Sequence, residues 1–170
     1  MIKKIGIIGA GTMGSGIAAA SSINGFETLL YDIYPEAVQK AVSGISKGFQ
    51  KLEEKGKIDA AKRKAAEGNI IQINDLAGLA ECDIIIEAAI ENIDLKKELY
   101  KKLDEVTKPE AILATNTSSF SITSISTAVK NNPGRVAGMH FFNPANIMKL
   151  VEVVRGEFTT DDTVGAIIHL

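Results

Sequence analysis

The sequence contains no tryptophan, one cysteine, four prolines and no strong excess of charge of either sign. Each shortage closes off a class of protein. With Cys82 alone there is no intrachain disulfide framework and no multi-cysteine metal site, so no metal is expected. A reducing, cytoplasmic setting is the simplest expectation. Nineteen basic residues against twenty-one acidic ones give a net charge of -2, so no overall field draws the chain to nucleic acid or membrane. No segment approaches the ~20 apolar residues needed to cross a bilayer. The apolar stretch at the start is broken by glycines and by Lys3 and Lys4, so it does not read as an export signal, and Met1 is taken as the true start. Repeats and low-complexity tracts are also lacking, which argues against a solenoid or a linker. Histidine is scarce too: His140 and His169 are the only two.

What remains is an ordinary globular composition, 45% hydrophobic and 24% charged over 170 residues, enough for one well-buried domain. Residues 2–8 form a β-rich apolar run that enters glycines, and residues 13–23 carry the small and apolar side chains of a tightly packed helix. Residues 27–31 read as a second strand ending at Asp32, with Pro35 placed to open the next helix. Residues 36–68 form a lysine-rich helical pair broken near Gly56, Asp59 capping its second member. Short apolar runs at 70–73, 84–88 and 111–114, spaced by helical patterns such as 94–106, are expected to be buried parallel strands. Residues 136–142 and 149–154 are two further strands flanking Asn143, Pro144 and Asn146, and they are placed to form a hairpin. A last helix starts near residue 160 with Asp161 or Asp162 close to its cap. The sum is an α/β fold: a Rossmann-like, doubly wound, mainly parallel sheet with a helical-pair insertion after the second strand and an antiparallel edge hairpin.

Gly9-Ala10-Gly11-Thr12-Met13-Gly14 matches the G-x-G-x-x-G fingerprint in its proper strand–turn–helix setting. Gly9 permits the turn, Gly11 lets a pyrophosphate approach the backbone, and Gly14 lets the helix pack on the strand. The N–H groups at the helix start, around Thr12 and Met13, then face the phosphates. Asp32, some 20 residues on, can accept hydrogen bonds from the adenosine ribose and would repel a 2′-phosphate. With Tyr31, Ile33 and Tyr34 offering no arginine nearby, NAD is favoured over NADP. A packing turn or a flavin-binding version of the motif would share the same glycines.

His140 lies in a strand expected to be largely apolar. If the next strand folds back about a loop centred on Asn146, residue 140 stands opposite Glu152. Opposed side chains on one face have Cβ atoms ~5 Å apart, close enough for a carboxylate to bond an imidazole N–H. Glu152 sits among Leu150, Val151, Val153 and Val154, where a buried charge would need a partner. Such a pair can move a proton to or from a substrate oxygen, or it can merely order the sheet edge. Asn116-Thr117-Ser118-Ser119 follows a strand, where α/β folds bind ligands, but it can equally be a turn with Ser119 or Ser121 starting a helix. Lys47, Lys51, Lys55 and Lys57 in the helical insertion read on their own as a solvated face.

Five ordered motifs then carry a resemblance that covers the whole chain. They are Gly9 to Gly14, Glu87-Ala88-Ala89-Ile90-Glu91-Asn92, Ala114-Thr115-Asn116-Thr117-Ser118-Ser119, His140 to Pro144, and Met148-Lys149-Leu150-Val151-Glu152. Together they resemble the N-terminal NAD-binding domain of the L-3-hydroxyacyl-CoA dehydrogenases, especially the bacterial 3-hydroxybutyryl-CoA enzymes. The resemblance implies NAD-dependent oxidation of a short-chain L-3-hydroxyacyl-CoA to the 3-ketoacyl-CoA, and the reverse, as in fatty-acid and butanoate metabolism. It implies that His140 is the general acid/base and Glu152 its orienting partner, that Ser118 bonds the substrate oxygen, and that Asn143 completes the site. It places Asn116 and Glu91, with Lys96 nearby, beside the nicotinamide, and Lys51 and Lys55 on coenzyme A. Residues 1–170 would then be the NAD-binding domain, with a CoA-contacting arm at 36–69. A C-terminal helical domain, which would join two copies into a homodimer and finish the acyl-CoA pocket, is not in this sequence; the chain reads as a fragment expected to turn over poorly alone. Two alternatives stay open: a non-catalytic NAD-binding module, and a dehydrogenase of a non-CoA hydroxy acid or sugar acid such as the L-gulonate 3-dehydrogenase relatives.

Overall fold

Isoleucines at 5, 7, 84, 85 and 86 are at most 1% exposed, which a strand tolerates only when helices cover both faces of its sheet. In a computed structural model describing residues 1–170, that is their situation. The elements follow in the order β1 (Lys4–Ile8), α1 (Thr12–Ile23), β2 (Glu27–Tyr31), α2 (Pro35–Glu54), α3 (Ala60–Gly68), β3 (Ile70–Gln72), β4 (Ile84–Glu87), α4 (Ile93–Val106), β5 (Ile112–Thr115), α5 (Ile122–Ser126), β6 (Val136–Phe141), β7 (Val151–Val154) and α6 (Asp161–Ile168). Single 3₁₀ turns at Leu76–Leu79 and Pro133–Arg135 lead into β4 and β6.

The seven strands pair in the order β3-β2-β1-β4-β5-β6-β7, and only the β6–β7 pair is antiparallel. Alternation along each strand sorts the core into two layers. Ile5, Ile7, Leu30, Ile84, Ile86 and Ala114 face α1, α2, α3 and α6 through Ile17, Ile45, Phe49, Ala66 and Ile167. Ile8, Leu29, Ile85 and Leu113 face α4 and α5 through Tyr100, Leu103 and Ile125. From β1 the chain winds outward to β2 and β3, then returns to the other side of β1 as β4. That reversal opens a crevice at the C-terminal ends of β1 and β4, where doubly wound sheets bind their ligands.

The doubly wound sheet, the helical insertion and the edge hairpin expected from sequence are all present. The differences lie at element ends. The first strand starts at Lys4 rather than residue 2, β5 is shifted one residue to Ile112–Thr115, and β7 starts at Val151 because Lys149 and Leu150 are still in the exposed loop. Asp59 caps α3, accepting from the Lys62 N–H at 2.7 Å. Thr160 caps α6, and Asp161 and Asp162 follow it in the first turn, next to the cap as expected. No helix is long and apolar enough to cross a membrane.

Two charged anchors hold the far end of the sheet. Arg135, 2% exposed, bonds Asp104 at 2.9 Å, the Thr107 hydroxyl at 3.0 Å and the carbonyls of Lys108 and Ala111, which ties the end of α4 to the entries of β5 and β6. Asp83 accepts from the backbone N–H groups of Lys3 and Lys4 and from the Lys108 ammonium. Burial works against its charge, but these donors outweigh it and hold the carboxyl at about 2, below its ordinary 3.8. A carboxyl depressed in the folded state adds stability above its ordinary pKa and loses it as pH falls toward the folded value. The melting temperature of the native chain should therefore exceed that of Asp83→Asn at neutral pH, with the gap closing between about pH 4 and pH 2. A gap constant across that window would rule out this contribution. Cys82 beneath the same strand ends is fully buried, and burial pushes its thiol up to about 11, so it is a packing residue and not a nucleophile.

Candidate active site

The turn after β1 shows why its glycines are where they are. Gly9 has φ +99°, and a Cβ there would come 2.6 Å from the Ala88 carbonyl oxygen. A Cβ on Gly14 would come 1.7 Å from the Gly9 carbonyl oxygen, so α1 can lie against its own turn only without a side chain at that point. Gly11 differs: beyond its own chain neighbours, nothing lies within 4 Å of where its Cβ would be. Its missing side chain leaves an open cradle that packing does not require. Gly11 is also the N-cap of α1, with no side chain satisfying the first-turn N–H groups and no acid in that turn. An anion at Thr12 and Met13 would meet free donors and the positive end of the helix. Asp32, at the end of β2, accepts from the Ala10 N–H at 2.7 Å and the Tyr34 N–H at 3.0 Å. These bonds fix the carboxylate beside the glycine turn and leave it further lone pairs. The cradle, the open helix start and the placed carboxylate fit a dinucleotide.

At the other side of the crevice, β6 and β7 pair in the register expected from a loop centred on Asn146, with His140 opposite Glu152. The imidazole Nδ1 is 2.8 Å from Glu152 Oε2, and Nε2 is 3.1 Å from the Ser118 hydroxyl. A carboxylate can only accept, so Nδ1 carries a hydrogen and, in neutral His140, Nε2 offers its lone pair toward Ser118. The Phe142 ring packs beside the imidazole, centroids 5.0 Å apart. One expectation is corrected: apolar neighbours suggested a buried Glu152, yet its side chain is 53% exposed while that of His140 is 21% exposed. As an edge strand, β7 turns Glu152 and Val154 outward and keeps Val151 and Val153 half-buried.

Ser118 is reached from β5 through a polar turn. Asn116 accepts from the Phe141 N–H at 2.8 Å, which ties this turn to the end of β6. Glu91 accepts from the Thr117 hydroxyl at 2.7 Å and the Ser118 N–H at 3.0 Å. Partial burial opposes its ionisation, but those donors and Lys96 hold the Glu91 carboxyl below its usual range. Lys96, expected beside the nicotinamide, is 2% exposed, its ammonium against Glu87 at 2.6 Å and Glu91 at 3.1 Å. Any effect it has on a cofactor runs through Glu91. Asn143 is exposed at the start of the β6–β7 loop, two residues beyond the last residue of β6. Ala145 in that loop packs so closely on α1 that a Cβ on Gly16 would stand 3.1 Å from the Ala145 Cβ. Lys51, in the last turn of α2, and Lys55, its C-cap, are exposed and make no contact with His140 or Ser118. Sequence reasoning assigned no role to Glu87, although a glutamate closing the run Ile84-Ile85-Ile86 was a signal that a buried cation had to lie near.

A doubly wound sheet with a glycine-turn cradle on one side of its crevice and a Ser118–His140–Glu152 chain on the other is the architecture of a dinucleotide-binding domain. Residues 4–170 match the family described as 3-hydroxyacyl-CoA dehydrogenase, NAD binding domain, and the chain belongs to that family. It is 44% identical over 169 residues to 3-hydroxyadipyl-CoA dehydrogenase of Escherichia coli, covering 99% of this chain and 35% of the relative. It is also 44% identical over 160 residues to a probable 3-hydroxybutyryl-CoA dehydrogenase of Deinococcus radiodurans, covering 94% of this chain and 57% of the relative. The crystal structure of 3-hydroxybutyryl-CoA dehydrogenase from Escherichia coli superposes with a TM-score of 0.97 at 43% identity, over 99% of this chain and 36% of that one. The chain thus spans between about a third and three-fifths of the relatives it matches.

Proposed function

We propose that this chain is the cofactor-binding and proton-transferring domain of an NAD-dependent L-3-hydroxyacyl-CoA dehydrogenase acting on short acyl chains such as 3-hydroxybutyryl. The observation that carries the reading is the run Ser118–His140–Glu152 at the crevice opposite the Gly11 cradle. NAD, when bound, supplies the hydride acceptor for the carbon that bears the substrate hydroxyl.

The chain's own residues supply the rest. Gly11, Thr12 and Met13 receive the pyrophosphate, Asp32 the adenosine ribose, and Asn116 and Glu91 border the nicotinamide end. Ser118 and His140 Nε2 converge on one point, where the substrate oxygen would sit. In the oxidative direction Nε2 takes the hydroxyl proton, and Glu152 stabilises the imidazolium that results; in reverse the imidazolium returns the proton to the ketone oxygen. Asn143, at the start of the β6–β7 loop, would help complete the site next to the histidine. Lys51 and Lys55, exposed and unpaired, suit the phosphates of coenzyme A. The greater length of the relatives accommodates a helical C-terminal domain that would finish the acyl pocket and join two copies into a homodimer.

Isolated chain should bind NADH, seen as a change in nicotinamide fluorescence, and oxidise it with acetoacetyl-CoA slowly or not at all. Joined to the remaining length of a full dehydrogenase, it should turn over acetoacetyl-CoA and far less of free acetoacetate. Equal rates with the free acid would remove coenzyme A from the reading. Rapid turnover by the 170-residue chain alone would remove the need for a second domain.

A further inference from the structure

Glu87 ends β4 with a side chain that solvent does not reach. A carboxylate there must be held by donors, and three converge on it: the Lys96 ammonium at 2.6 Å, the Ala89 N–H at 2.7 Å and the Thr115 hydroxyl at 2.8 Å. The neighbouring Tyr100 is fully buried, and burial followed by the Glu87 charge pushes its phenol well above the usual range, so it stays neutral beside the carboxylate. Lys96 is therefore the cation that balances Glu87, but the ammonium is shared. Its second partner is Glu91, whose side chain is 44% exposed. Held from the buried side by Lys96, Glu91 presents its other oxygen to the Thr117 hydroxyl and the Ser118 N–H. A second route reaches the same turn: Thr115 donates to Glu87 and accepts from the Thr117 N–H at 3.2 Å. Both routes start at Glu87 and end one residue or less from the hydroxyl that bonds His140 Nε2.

We propose that Glu87 is a positioning residue for the Ser118–His140 contact, fixing it through Lys96 and Glu91. Loss of Glu87 should leave the fold in place and the contact loose. The inference rests on the dehydrogenase reading for its meaning, since only there does the contact act on substrate, but its test reads the side chains themselves. In Glu87→Gln, hydrogen exchange at the Ser118 amide should quicken by about tenfold or more, while Ile85 and Leu113 in the sheet core keep their native protection. The Nε2 nitrogen resonance of His140 should move toward its position in Ser118→Ala. Both changes are required; an unmoved Nε2 resonance, an unchanged Ser118 exchange rate, or a uniform quickening of all amides overturns the proposal. Glu87→Asp keeps the charge that balances Lys96 but draws the carboxylate back by one methylene, and carries the same test if Glu87→Gln does not fold. Failure of the dehydrogenase reading would show separately, in the acetoacetyl-CoA assay.

Discussion

His140→Gln, made in the complete enzyme, is expected to lower turnover of acetoacetyl-CoA by about 10²- to 10⁴-fold, the range that a positioned general acid–base supplies, while changing NADH affinity by less than about twofold. The split follows from geometry. His140 meets Ser118 and Glu152 at the β6–β7 edge, whereas the glycine cradle and Asp32 lie on β1 and β2. Glutamine keeps a polar group of similar reach but cannot cycle a proton, so the loss isolates proton transfer from packing. Steady-state NADH oxidation and a fluorescence titration on the same variant measure the two halves. Activity within a few fold of the parent would take His140 out of its role. Ser118→Ala should cost less than the histidine variant, because it removes one hydrogen bond at the reacting oxygen and leaves the proton carrier.

Gly14→Ala should damage both stability and cofactor binding. The new Cβ would fall 1.7 Å from the Gly9 carbonyl oxygen, and since the backbone fixes both atoms, no side-chain rotation relieves it. Either α1 moves off the strand or the turn re-forms. Overpacking of this kind costs about 1–3 kcal/mol or more of stability, and because the displaced turn is the one that would receive the pyrophosphate, NADH binding should weaken as well. Gly11→Ala separates the two effects. Beyond its chain neighbours nothing of the protein lies within 4 Å of that Cβ, so the fold loses only a better N-cap and the melting temperature should fall less than in Gly14→Ala, while NADH affinity falls because the methyl group fills the cradle. Melting curves and NADH titrations on both variants check this; unchanged affinity in Gly11→Ala would mean that the pyrophosphate does not approach there.

Features governed by local rules were legible in the sequence. The glycine turn, the β–α–β opening and the Asp59 cap each depend on residues a few positions apart. The His140–Glu152 pairing was legible because the hairpin links its two strands by a short loop whose centre sets the register. Residues whose partners are distant were not. Glu87 finds Lys96 nine positions on and Thr115 twenty-eight on, across two strands and a helix. Arg135 finds Asp104 thirty-one positions back. The exposure of Glu152 was misjudged for a different reason: apolar flanks mark a strand, but they do not say whether the strand is interior or at the edge.

The β6–β7 hairpin also sets a limit on how this family can drift. In an antiparallel pair, opposite residues have positions that add to a constant, here 140 and 152, and the half-buried face that Val151 and Val153 turn to the core holds that pairing. A slip of one residue in that pairing would bring Val151 or Val153 opposite the histidine and turn the glutamate to the other face. Substitutions along the exposed stretch 146–150 leave the register alone. A variant in which this register slips by one should therefore lose the chemistry even if every site residue is still present.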